Sequence, residues 1–170
     1  GHHSANVGII AGVNNGDVIG ENYVGGGIGY GENYIAEIIG FTNEGNITGE
    51  LYVGGVVGAA FGYYLADCTL MNVTNNGAIH GSAGVGGIAG ETQYIYESTN
   101  NGTITSTSTM THKSFEDPVS MTAGIAAIAE GIKDSENTSD ITVTSGGNVV
   151  GGIAGFVLGD EMSGNTNRGN

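Results

Sequence analysis

At 170 residues the chain has the length of one domain, and 39% hydrophobic residues are enough to build a buried core. Seventeen acidic residues against three basic ones give a formal net charge of −14, which leaves almost nothing to neutralise phosphates and excludes nucleic acid and anionic membranes as partners. Thirty-four glycines against one proline are too many for an ordinary globular domain, and they follow neither a collagen triplet nor a disordered proline-rich mixture.

Gly1-His2-His3 looks like the scar of an affinity tag and is set aside, leaving residues 4–170 as one domain. No stretch reaches the roughly 18 consecutive apolar residues that a transmembrane helix needs, so membrane insertion is not expected. The glycine is periodic. The segment Val85-Gly86-Gly87-Ile88-Ala89-Gly90 recurs in shape at Val7, Val24, Val53, Ile125 and Val150, at intervals of 17, 29, 32, 40 and 25 residues. A second element, Asn-x-Gly with an aliphatic two residues on, begins at Asn14, Asn43, Asn75 and Asn100, with degenerate copies at Asn137 and Asn167. From this Asn to the following Val anchor the distance is ten residues three times over, at Asn14 to Val24, Asn43 to Val53 and Asn75 to Val85.

A unit of about 30 residues is too short to bury its own hydrophobic face and must stack on its neighbours. Val, Ile, Thr, Tyr and Gly dominate the repeats, which disfavours helix and suits short strands. Gly45-Asn46-Ile47-Thr48-Gly49 and Gly77-Ala78-Ile79-His80-Gly81 alternate with period two, and Asn-Gly marks tight turns. Residues 121–133 alone have a helical look, and their alignment with the anchor argues for strand. The expected fold is all-β, a parallel β-solenoid of about five to six coils of roughly 30 residues. Three faces are expected in each coil: the anchor, the segment around Ile79, and the variable stretch between them. Glycines in the anchor let backbones approach closely, and the turn asparagines are predicted to stack coil on coil as an amide ladder.

Cys68 is alone, which excludes a disulfide framework and a Cys/His zinc pattern, and its apolar surroundings mark it as a small core residue. Between Asn100 and the Ile125 anchor lie 25 residues in place of ten. The excess defines an insertion at residues 106–120, whose His112, Lys113, Phe115, Glu116 and Asp117 are the candidate ligand-binding residues. The chain begins and ends within repeats without a polar cap, which predicts a fragment of a longer array whose coil ends associate with neighbouring repeats.

Asn75-Asn76-Gly77-Ala78-Ile79-His80-Gly81 followed by Val85-Gly86-Gly87-Ile88-Ala89-Gly90 resembles the GLUG repeat of large bacterial cell-surface proteins, and the likeness covers most of the chain. The resemblance implies a secreted, extracellular module displayed on the bacterial surface. It belongs either to an adhesin-like protein or to the repeat region of an immunoglobulin A metallopeptidase-type protein, with a host glycan or extracellular protein as partner. The Ile125 copy departs from the pattern, with Ala126-Ala127 for Gly-Gly and Glu130 for the closing Gly.

A zinc protease needs His-Glu-x-x-His or an equivalent, and the sequence has none; His80 and His112 are 32 residues apart. The enzyme reading is a carbohydrate-active β-helix, or an accessory domain of a surface peptidase. Glu21 and Glu50 each precede an anchor by three residues, so stacked coils would bring their carboxylates to about 5 Å, the scale of a retaining glycosidase pair. The next coil has Ser82 there. Asp134, Glu136 and Asp140 gather hard oxygen ligands in a short turn and are the candidate Ca2+ ligands. Alternate threonines at Thr103, Thr105, Thr107, Thr109 and Thr111 suggest one face of hydroxyls that other coils do not repeat. Tyr23 and Tyr52 share a register, one residue before their anchors, and form an outer pair suited to covering the sheet or stacking on a sugar ring. No catalytic residue is assigned: the favoured function is a non-enzymatic structural or adhesive module.

Overall fold

The computed structural model describes residues 7–32, 35–61, 68–107, 120–145 and 149–170, and the regular elements among them are all β-strands. They form four sheets of eight, six, five and five strands, and every pairing described is parallel. The chain visits the sheets in a fixed order. From Thr42–Asn43 in an asparagine sheet it passes to Ile47–Thr48 in an isoleucine sheet, then to Leu51–Gly54 in a valine sheet, and to Val57–Phe61 in a long sheet. It then returns to the asparagine sheet at Thr74–Asn75, hydrogen-bonded beside Thr42–Asn43. This course is consistent with a parallel β-solenoid. The walls number four where the sequence suggested three, because the two-residue Thr-Asn segments pair as a sheet of their own.

The long sheet changes character along the chain. Early turns build it from two strands, Ile28–Glu32 with Ile35–Ile39 and Val57–Phe61 with Thr69–Met71. Later turns use one continuous strand: Ala89–Tyr96, Ala126–Lys133 and Ala154–Ser163. The register also moves two of the expected anchors. Val24, Val53, Val85 and Val150 fall in one column, but the residue between Val85 and Val150 is Thr122, and Ile125 lies three positions on, adjoining Ile88. The departures of that turn are therefore Ala123 for Gly86 and Ala127 for Gly90, rather than a double replacement of Gly-Gly. Val7–Ile10 is likewise not an anchor strand, since it pairs with Ile35–Ile39 in the long sheet. Both misreadings arise because small-aliphatic runs occur on two walls and look alike as strings.

Inside, residues of one type stack on themselves. Ile47, Ile79 and Ile104 form a buried column between Val18 and Ile141, facing the buried anchor valines Val24, Val53 and Val85. A second apolar cluster under the long sheet includes Ile38, Leu70, Ile95 and Ile132 from one column and Val56, Ile88 and Ile125 from the bends that join the valine sheet to the long sheet. Each such side chain contributes about 1.5–3 kcal/mol by leaving water. β-Branched residues suit this arrangement, because their stiff χ1 stacks identically on each pleat.

Between the two apolar clusters runs the asparagine ladder. Asn14 Nδ2 donates to Asn43 Oδ1 at 2.7 Å, Asn43 to Asn75 at 2.7 Å, Asn75 to Asn100 at 2.7 Å, Asn100 to Asn137 at 2.8 Å, and Asn137 to Asn167 at 2.7 Å. The same nitrogens also donate to the carbonyl two residues on, at 2.7–3.0 Å from Gly16 to Gly169. Opposite the ladder stand Gly26, Gly55, Gly87, Gly124 and Gly152, where a Cβ would lie inside contact distance of Asn43, Asn75, Asn100, Asn137 and Asn167 respectively. The two halves of the sequence motif thus meet face to face across a narrow interior. Asn43, Asn75, Asn100 and Asn137 are fully buried, so this is polar contact in a place without water.

Replacing Asn75 by Ala removes two donor bonds and one acceptor bond, leaving partners on both neighbouring turns unsatisfied at about 1–3 kcal/mol each. Urea denaturation of Asn75→Ala is expected to show a loss of about 3 kcal/mol or more, whereas Asn14→Ala, at the part-exposed end, costs about 1 kcal/mol or less. Equal losses would show that the ladder acts turn by turn, not as a chain.

Thr122 stands in the valine column, wholly buried, with its hydroxyl unbonded among the described residues. Val is its isostere and the residue the neighbouring turns use. Thr122→Val should raise stability by about 1 kcal/mol by removing a desolvated hydroxyl. A lower denaturation midpoint in the variant would show that the hydroxyl is satisfied.

Candidate functional site

The outer surface is where turns differ. Glu50 N donates to Glu21 O at 2.7 Å and Ser82 N to Glu50 O at 3.0 Å, so the expected column Glu21, Glu50, Ser82 lies on successive turns. Both glutamates are exposed on a convex corner, whereas a glycosidase holds its acid in a cleft that tunes it. The cations among the described residues lie elsewhere, Lys133 at the end of the strand Ala126–Lys133 and Arg168 paired with Glu136.

Asp134, Glu136 and Asp140 are adjacent in sequence and separate in structure. Asp134 occupies the bend entering the asparagine sheet, with φ 51°. Glu136 lies in that sheet and pairs with Arg168, and Asp140 Oδ1 accepts from Asn170 N at 2.9 Å beyond it. Among the described residues no three His, Cys, Asp or Glu side chains gather as a ligand set. His112, Lys113, Phe115, Glu116 and Asp117 lie outside the described residues. Of the insertion's expected limits, Ser106 is buried in the strand Ile104–Ser106, and the carbonyl of Ser120, also buried, accepts from Val149 N at 3.1 Å.

Cys68 is buried, and burial pushes its thiol up to about 11 against the opposing pull of the Thr92 hydroxyl, which suits a core residue and not a nucleophile. Thr105 pairs with His80 and with Thr142, and His80 pairs with Thr48, so the outer row on the isoleucine sheet runs Thr48, His80, Thr105, Thr142 across strands, exposed except at the half-buried Thr105. Thr109 and Thr111 are outside the described residues.

The feature with most chemical content is aromatic. Tyr23 and Tyr52 lie on neighbouring turns with ring centroids 5.3 Å apart and planes 3° from parallel. Tyr30 leans on Tyr23 at 4.9 Å and 58°. Tyr23 and Tyr30 are 40% and 48% exposed, a large aromatic area left in water by a chain with eight tyrosines in all. Glu91 completes the group: the Tyr52 hydroxyl donates to its carboxylate. Tyr30, Ala59 and Glu91 are one column of the long sheet, exposed at Tyr30, buried at Ala59 and half-buried at Glu91. Burial raises the pKa of Glu91 above the ordinary carboxylate range, with the Tyr52 hydrogen bond working against the shift.

The backbone under the two tyrosines is unusual. Tyr23 and Tyr52 have φ of 55° and 51°, a left-handed conformation that costs an aromatic residue about 1–2 kcal/mol. Gly84 holds the same conformation on the next turn, at φ 65°. A different left-handed column, Ala11, Gly40, Asn72, Glu97, Asp134 and Gly164, recurs on every turn three residues before the ladder asparagine and is a fixed corner of the fold. The Tyr column is local by comparison, since Met121 and Val149 follow it in register without that conformation.

Sequence reasoning found Tyr23 and Tyr52 by their offset from the anchor and missed Tyr30 and Glu91. A signal existed: both stand six residues after an anchor valine, in the register where Ala59 falls. No protein-family model, curated protein or solved structure matches this chain.

Glu91 makes a pH prediction. A carboxyl whose folded pKa is raised binds its proton more tightly when folded, so its penalty is absent at low pH and grows as pH rises through and above the unfolded glutamate range. Relative to Glu91→Gln, the natural protein should therefore lose stability between pH 4 and pH 7. Melting curves of both proteins across that range check the sign, and parallel curves would place Glu91 in an environment like water.

Proposed function

We propose that the chain is a non-enzymatic structural and adhesive module: a β-solenoid of about five to six coils, roughly 30 residues each, serving as a stalk in a secreted bacterial surface protein. The observation that carries this reading is the unbroken asparagine ladder, which ties successive turns along one direction and gives a stiff rod. Stacked parallel strands add main-chain bonds along the same axis. The GLUG-like repeat supports the bacterial, extracellular assignment, in which the net charge of −14 keeps an extended β surface soluble. Residues 106–120 are a contact surface in this reading.

A second reading, a carbohydrate-active β-helix, draws on the juxtaposition of Glu21 and Glu50 on neighbouring turns. The two are separated by incubating the protein and Glu21→Gln/Glu50→Gln with neutral and acidic polysaccharides and assaying new reducing ends. The stalk reading expects none from either protein and a small change in melting temperature between them. Cleavage by the natural protein that the double variant loses would replace the stalk with a glycosidase.

A further inference from the structure

We propose that Tyr23, Tyr30, Tyr52 and Glu91 form a binding site for a neutral polysaccharide, an inference that rests on the adhesive reading above and gives it a ligand class and a location. The ligand class follows from the chemistry of the group. A pyranose ring with equatorial hydroxyls has an apolar C–H face and a rim of hydroxyl donors. Tyrosine rings offer the first a partner, and a carboxylate beside phenol hydroxyls offers the second one. Tyr23 and Tyr30 present 40% and 48% of their surface to solvent, enough to meet a sugar face. Glu91 is already fixed by Tyr52, so a sugar hydroxyl would meet an oriented acceptor, not a mobile one.

Charge selects within the class. With 17 acidic residues against three basic ones and a carboxylate in the group itself, uronic-acid and sulfated chains are repelled, which leaves neutral glycans. Tyr23 and Tyr52 stack on each other at 5.3 Å and 3°, which fixes Tyr23 in place and gives the exposed Tyr30 a rigid neighbour to share a ligand with.

Backbone conformation supplies an independent observation. Tyr23 and Tyr52 are held where Gly84 shows that glycine serves, and Met121 shows that the fold does not demand the conformation on every turn. Tyrosine at a position where glycine is unstrained is a local choice of these two turns.

The test uses cellohexaose, laminarihexaose and chitohexaose as neutral probes and polygalacturonate as the anionic control. Tyrosine emission is one readout, clean because the chain has no tryptophan, and the ring proton resonances of Tyr23 and Tyr30 are the other. At least one neutral hexasaccharide should bind and shift those resonances, with affinity insensitive to salt and none for polygalacturonate. Tyr23→Gly/Tyr30→Ala should lose tenfold or more in affinity. Tyr23→Gly is chosen because glycine accepts the local backbone, as Gly84 does, and the ring resonances of the unmodified protein decide the matter should the double variant fail to fold. Absence of binding to all three neutral probes, binding that leaves the Tyr23 and Tyr30 resonances unmoved, unchanged affinity in the folded double variant, or preference for polygalacturonate would each overturn the site. Failure here is distinct from failure of the stalk reading, which shows as polysaccharide cleavage and not as lack of binding.

Discussion

The structure depends on a polar contact made in a dry interior. Each of the four inner ladder asparagines, Asn43, Asn75, Asn100 and Asn137, donates to the next turn and to its own turn, and its oxygen accepts from the turn before. An amide is the side chain able to do all of this at once, because it carries two donor hydrogens and an acceptor in a fixed plane. Serine accepts and donates once, as Ser98 does between Val73 N and Tyr96 O, and has no second donor with which to link side chain to side chain as well. Burial then makes the arrangement unforgiving, since a missing partner has no water to replace it.

Glycine follows from asparagine. A buried ladder needs space, and the wall across from it yields that space by giving up its side chains at Gly26, Gly55, Gly87, Gly124 and Gly152. Valine and isoleucine then flank the contact on both sides, with Val53 and Ile79 in one apolar cluster and Val56 and Val73 in the other. The composition that looked too rich in glycine for a globular domain is the composition of a cross-section one amide wide. The same logic explains why turns vary in length between corners and not within them. Asn to anchor is ten residues on three turns, and the ladder survives on the others, where added residues fall after the isoleucine strand or midway along the long sheet.

Much of this was legible in the sequence, and the reason is the constraint just described. Asparagine, glycine and valine recur because each touches a copy of itself, so the repeat spells out the interior. The ladder was read correctly through its weakest members, Asn137 and Asn167, where the glycine after Asn137 has become Ser139. What failed was register on walls of similar composition. Val7 opens a long-sheet strand and Ile125 sits in the bend just before another, in small-aliphatic runs that match the anchor as text, and main-chain pairing alone separates them. A threonine in the anchor column, at Thr122, hid the true alignment because its hydroxyl broke the apolar signature. The fourth wall was missed for another reason: two residues are too few to show a period.

Outer residues were less legible, and for a physical cause. A column in the apolar core must repeat because each member packs on the next, but a column outside it has no such obligation. Tyr30, Ala59 and Glu91 belong to neither apolar cluster, and they are not alike. Lack of repetition is itself informative once register is known. Corner strain in the column from Ala11 to Gly164 recurs on every turn and belongs to the architecture. Strain at Tyr23 and Tyr52 does not recur beyond Gly84, and the side chains it supports are large, aromatic and exposed. In a molecule whose inside is the same at each turn, the places that distinguish one turn from another are on the outside. Of those described, the tyrosine group is the one where exposed aromatic rings meet a left-handed backbone that glycine takes on the next turn.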